Sequence, residues 1–135
     1  YFDRISKYIQ ENDVKNVFFH HHIANDDLPG IYQQSEALVY PSSYEGFGIP
    51  VLEALNSGIP VITSKGGCLE ETAGGGGLIV DPENVEEIAN SIDNILSDSL
   101  LRKRLITEGR KHALNFREER TITILMYIYK EVFNE

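Results

Sequence analysis

A short apolar run, Ala37-Leu38-Val39-Tyr40, halts at Pro41-Ser42-Ser43, and after the turn Glu45-Gly46-Phe47-Gly48 a helix opens at Pro50. Proline has no N–H to give to a strand ladder, so Pro41 closes the strand. Pro50 falls where the first helical N–H groups have no internal partner, and its missing donor does no harm there. Gly58 supplies the stop. Strand, tight turn and helix packed into so few residues restrict the chain to an α/β arrangement, because a buried strand followed at once by a helix feeds a parallel sheet.

The rest of the chain repeats that alternation. Phe2, Ile5, Tyr8 and Ile9 give the stretch Tyr1 to Gln10 the spacing of an amphipathic helix. Val17-Phe18-Phe19 reads as a short buried strand, and a helix follows from about Asp27 to Ser35. Pro60-Val61-Ile62-Thr63 and Leu78-Ile79-Val80 read as strands, and helices are expected at Val85–Leu96, Ser99–Asn115 and Glu118–Phe133. Four short parallel strands in a doubly wound, Rossmann-like α/β/α layer are expected. The last helix carries Ile122, Ile124, Leu125, Met126, Ile128, Tyr129, Val132 and Phe133, which cover more than one face and predict burial on several sides.

With 135 residues the chain makes one domain or part of one. It opens on Tyr1-Phe2-Asp3, already helical in pattern and without a methionine, which reads as a piece of a longer protein. A net charge of −9 with no basic cluster argues against non-specific nucleic-acid binding, which needs a cationic footprint. One cysteine, Cys68, excludes a disulfide framework and fits a cytoplasmic setting. No apolar run reaches the roughly 18 residues of a membrane span.

In doubly wound sheets ligands sit beyond the carboxyl ends of the strands, where the Glu45–Gly48 turn lies. The first N–H groups of the following helix are unpaired and its dipole adds partial positive charge, so a phosphate fits there. Gly46 and Gly48 allow close backbone approach and positive φ. Glu53, expected on the first helical turn, has a carboxylate suited to a vicinal diol such as ribose. Glu45 would point toward whatever lies beyond the phosphate. Taken singly, each glutamate reads as an ordinary solvated or dipole-stabilising carboxylate; their spacing, the glycines and the strand context favour a site.

Other features carry less. In His20-His21-His22 only the outer two would share a face of a strand, with no acidic partner beside them, so lining of a nucleotide site is favoured over a metal. Gly74–Gly77 lacks the lysine of a phosphate loop and reads as a flexible loop. Cys68 reads as a small neutral side chain, and Lys65 either reaches a ligand or is solvated.

The segment Tyr40 to Pro60 resembles the C-terminal domain of retaining, family-4 type glycosyltransferases of the GT-B fold. These show proline-serine, then E-G-F-G-x-P, then a second glutamate eight positions after the first. Pro41, Ser42, Glu45, Gly46, Phe47, Gly48, Pro50 and Glu53 hold those places. Ala54, Gly58, Pro60 and Val61 match the continuation E-A-x-x-x-G-x-P-V, and Gly66, Gly67, Glu71, Gly74 and Gly77 to Pro82 resemble P-E-V-x-G-x-x-G-L-L-V-D-P. Val17-Phe18-Phe19 and Asp27-Leu28 resemble V-x-F-L-G … D-L, although His20 and His21 replace its leucine and glycine, and Glu70 its later proline.

The resemblance implies a site for a UDP- or GDP-linked sugar and no cofactor. Glu53 would bind the ribose hydroxyls. Glu45 would contact the transferred sugar or stabilise developing charge, and is the one residue given a catalytic role. Backbone N–H groups near Phe47 and Gly48, with Gly46, Ile49 and Leu52 beside them, would hold the diphosphate, and His21, His22 and Ile23 would line the base. It also implies that two strands, the family's phosphate-binding arginine and lysine, and an acceptor-binding half precede Tyr1. The acceptor would be a saccharide or lipid-linked saccharide, with peripheral membrane association through that other half. A sugar-nucleotide epimerase or other enzyme of this fold, and a non-catalytic module binding a partner through the last helix, are the competing readings.

Overall fold

The computed structural model describes residues 2–133, so Tyr1 of the first expected helix lies outside the described residues. Three strands form one parallel sheet in the order β1-β2-β3: β1 (Leu38–Tyr40), β2 (Val61–Ser64) and β3 (Gly77–Val80). Leu38 pairs with Val61, and Val61 with Gly77, which sets the register of the sheet. Strand β2 is buried along its whole length, as a strand covered on both faces must be.

The described residues form seven α-helices: α1 (Phe2–Glu11), α2 (Leu28–Gln34), α3 (Ile49–Ser57), α4 (Gly67–Ala73), α5 (Val85–Ser97), α6 (Ser99–Ala113) and α7 (Glu118–Phe133). Period-two alternation sends successive β2 side chains to opposite layers. Val61 joins Val51, Ala54 and Leu55 of α3 with Leu69 and Ala73 of α4, while Ile62 joins Val80, Ile95 of α5 and Leu105 of α6. The result is the expected α/β/α layering. Helix starts follow local chemistry: the Asn84 side chain accepts from the Glu87 N–H at the head of α5, and Asp98 accepts from Leu100 and Leu101 at the head of α6.

Four expectations need correction. Val17-Phe18-Phe19 is not a strand but exposed, irregular chain, so among the described residues the sheet has three strands rather than four and this segment does not pair with Leu38–Tyr40. Strand geometry is held by a ladder partner, and none of the described residues offers one; Phe19 instead stacks edge-on against Phe2, ring centres 4.9 Å apart. Gly67–Ala73, where no helix was expected, is α4. Helix α7 has no buried residue, so its apolar positions are not packed on several sides.

The glycine run is the fourth. Gly74–Gly76 is a 3₁₀ turn leading into β3, and Gly76 is buried. A Cβ on Gly76 would lie 2.5 Å from the Gly109 Cα of α6 and 2.5 Å from Leu55 Cδ2 of α3, while one on Gly109 would lie 2.8 Å from the same Leu55 atom. Two missing side chains let two backbones and a core leucine meet, a contact that composition alone disguises as a flexible loop.

Candidate functional site

The turn between β1 and α3 is built from the one conformation that glycine adopts freely. Gly48 has φ 92° and ψ 49° and is buried, and a Cβ there would fall 2.6 Å from Leu69 Cδ2. It precedes α3 directly, with Pro50 in the first turn and no side chain capping the free N–H groups. Gly46, by contrast, is exposed, lies outside the left-handed region and has nothing within 4 Å of a Cβ. The turn is tied down from below: Thr72 Oγ1, buried in α4, donates to the Phe47 carbonyl at 2.6 Å, and Ser64 Oγ of β2 donates to the Ser42 carbonyl at 2.5 Å.

The two glutamates flank this turn but line separate clefts. Glu45 borders a small one of about 190 Å³ with Ser42, Lys65, Gly66 and Cys68, whose Sγ lies 3.1 Å from the Glu45 carbonyl oxygen. Glu53 sits on the second turn of α3, not the first, because the helix already begins at Ile49. It borders a wider cleft of about 510 Å³ between α2 and α3, lined also by Asn25, Leu28, Tyr32 and Asn56. Both glutamates are half-buried.

Each carboxylate is held by a tyrosine hydroxyl that sequence reading did not single out. Tyr40 donates to Glu45 Oε1 at 2.6 Å and Tyr32 donates to Glu53 Oε2 at 3.1 Å. The hydroxyls are correspondingly hard to ionise. Burial, the hydrogen bond to Glu53 and the Glu53 charge push Tyr32 up to about 12, and the bond to Glu45 followed by burial raises Tyr40. A tyrosine that stays protonated remains a donor, and a carboxylate is the acceptor that suits it.

The other expected residues scatter around this centre. Phe47 is exposed and meets Phe116 edge-on at 5.6 Å between ring centres. Ile49 is exposed at the helix start, and Leu52 packs against the α3–α4 core. His21, His22 and Ile23 lie on the exposed chain before α2 and border neither cleft; His21 packs against Phe2, and Asn25 is the nearest residue of that stretch to line the Glu53 cleft. Lys65 pairs with Asp81 at 2.6 Å at the rim of the Glu45 cleft, which raises the lysine and lowers the carboxyl.

Residues 1–112 match the family described as glycosyl transferases group 1. The chain belongs to that family. Among group 1 relatives, O-antigen chain mannosyltransferase B of Escherichia coli is 38% identical over 109 residues, covering 81% of this chain and 29% of that protein. Sucrose-phosphate synthase from Thermosynechococcus elongatus superposes with a TM-score of 0.85 at 32% identity, covering 98% of this chain and 34% of that one. Anabaena Alr3699/HepE, solved in complex with UDP, superposes with a TM-score of 0.82 at 24% identity, covering all of this chain and 37% of that one. The chain thus spans about a third of the length of the relatives it matches, and its layers are those of a GT-B glycosyltransferase C-terminal domain. Among the described residues, no helix is long and apolar enough to cross a membrane.

Proposed function

We propose that these residues are part of the donor-binding domain of a retaining glycosyltransferase, one that moves a hexosyl unit from a UDP- or GDP-linked sugar to a saccharide or lipid-linked saccharide acceptor. The observation that carries this reading is the pair Glu45 and Glu53, set on either side of an uncapped helix start that opens from a left-handed glycine. The free N–H groups and the dipole of α3 offer a place for the diphosphate. Glu53 in the wider cleft accepts from the ribose hydroxyls, and Glu45 faces the transferred sugar. The UDP bound by the structurally similar Alr3699/HepE agrees with a nucleotide sugar as donor.

No side-chain nucleophile is needed in this scheme. The acceptor hydroxyl attacks from the face the diphosphate leaves, the departing diphosphate takes its proton, and Glu45 stabilises the positive charge that builds on the sugar. Catalysis is then positioning and electrostatics on a rigid scaffold. The acceptor, the cations that balance the diphosphate and any peripheral membrane contact belong to the remaining part of such an enzyme, which works in the cytoplasm.

Calorimetric titration of the intact protein with UDP, GDP and ADP tests the reading. One nucleotide should bind saturably, and Glu53→Ala should weaken it at least tenfold, as expected for losing hydrogen bonds to a charged group. Unchanged affinity in the variant would remove Glu53 from the ribose, and no binding of any nucleotide would end the donor-site reading.

A further inference from the structure

We propose that Tyr32 is a positioning residue for the donor's ribose: it clamps one oxygen of Glu53 and leaves the other to the diol. The inference rests on the reading of Glu53 given above and adds to it a residue of a different element, 21 positions earlier in the chain.

A glutamate on a helix lacks a fixed orientation of its own. Its side chain has three rotatable bonds, and an unrestrained carboxylate swings between rotamers and loses that freedom each time a ligand binds. Glu53 is not unrestrained. Tyr32 Oη donates to Oε2 at 3.1 Å, and the Tyr32 ring is packed against the core cluster of α3 and α4. A ring with two torsions, fixed by packing, is a stiffer anchor than the solvent it replaces. Both residues line the same 510 Å³ cleft, so the clamp acts where the ligand would enter.

The direction of the bond matters as much as its presence. A carboxylate has only acceptor sites, and a ribose diol has two donors to give it. Tyr32 donates to one oxygen and leaves the other to accept from the diol; as a protonated phenol it holds that role throughout the physiological range, and its raised pKa extends it to alkaline pH. The same device recurs at the other glutamate, where Tyr40, from the strand that leads into the turn, holds Glu45 Oε1 at 2.6 Å. Two carboxylates, each held by a tyrosine from an element earlier in the chain, describe a site set before its ligand arrives.

The test compares nucleotides that differ only in the diol. UDP and GDP are titrated against their 2′,3′-dideoxy forms in the parent protein, in Tyr32→Phe, in Glu53→Gln and in the double variant. The parent should prefer the ribonucleotide by one to two orders of magnitude. Tyr32→Phe keeps the packed ring and should cut that preference about tenfold, with dideoxynucleotide affinity held within twofold as the check on folding. Glu53→Gln should lower the preference further, and adding Tyr32→Phe to it should change little. If Tyr32→Phe retains the full preference, or weakens both forms equally, Tyr32 is only structural and the proposal falls while the role of Glu53 stands. If Glu53→Gln retains it, or if neither nucleotide binds the parent, the ribose reading fails and the positioning role goes with it.

Discussion

Replacing Gly48 by alanine tests whether the turn between β1 and α3 owes its shape to the missing side chain. Two costs are expected. An L-residue at φ 92° and ψ 49° pays about 1–2 kcal/mol for the left-handed backbone. The new Cβ also lands 2.6 Å from Leu69 Cδ2, roughly 1 Å inside the optimal carbon–carbon distance, and Leu69 is only 3% exposed, so it cannot swing clear without disturbing the core. Overpacking of that kind costs about 1–3 kcal/mol. The sum is about 2–5 kcal/mol. Gly46→Ala is the matched control two residues away: open space around the Cβ and an ordinary φ predict a change within about 0.5 kcal/mol. Urea unfolding of both variants beside the parent reads the difference as a shift in midpoint at constant slope. A loss below about 1 kcal/mol in Gly48→Ala, or an equal loss in the two variants, would refute the reasoning.

Two further outcomes follow from the same region. Thr72→Val removes the hydroxyl that donates to the Phe47 carbonyl while keeping its volume; it should cost about 1–2 kcal/mol and speed amide hydrogen exchange across Glu45–Gly48, and unchanged exchange there would show that the tether is idle. Tyr32 ionises at about 12 in the folded protein against the ordinary tyrosine value of 10.0, so above pH 10 the folded chain holds a proton the unfolded chain has released. Its contribution is complete below about pH 10 and is lost as pH rises toward 12. Chemical unfolding across that window should show a steeper fall for the parent than for Tyr32→Phe; parallel curves would contradict the shift.

The sequence was most legible where chemistry is local. Pro41, Pro50 and Gly58 punctuate the chain at the ends of β1 and α3, and the three strands that form are those whose apolar runs find a parallel neighbour. Val17–Phe19 has the same apolar character yet forms no strand, because strand formation is a property of pairs and not of segments. Glu53 moved to the second turn because α3 opens at Ile49, one residue before the proline that signals its start. Helix α4 escaped notice because Gly66-Gly67-Cys68 suggests a loop, whereas the burial of Leu69, Thr72 and Ala73 against the sheet supplies what local propensity withholds. The tyrosine partners were illegible for another reason. Tyr32 and Glu53 lie 21 residues apart and Tyr40 and Glu45 five apart, separations with no helical or strand period. They meet only once α2 has docked on α3 and the turn has closed.

The meeting of Gly76, Gly109 and Leu55 lies on the core side of α3, away from the cleft that Glu53 lines. Leu55 belongs to the same helix as Glu53, two positions along, and its Cδ2 atom is the one a side chain on either glycine would strike. The helix that presents the glutamate is therefore seated through one buried leucine on two backbones, neither of which carries a side chain of its own at the contact. Rocking or sliding of α3 would have to move α6 and the β3 approach together. The entropy of fixing this helix is settled when the chain folds, so a ligand arriving at its N-terminus encounters a surface that has little left to lose.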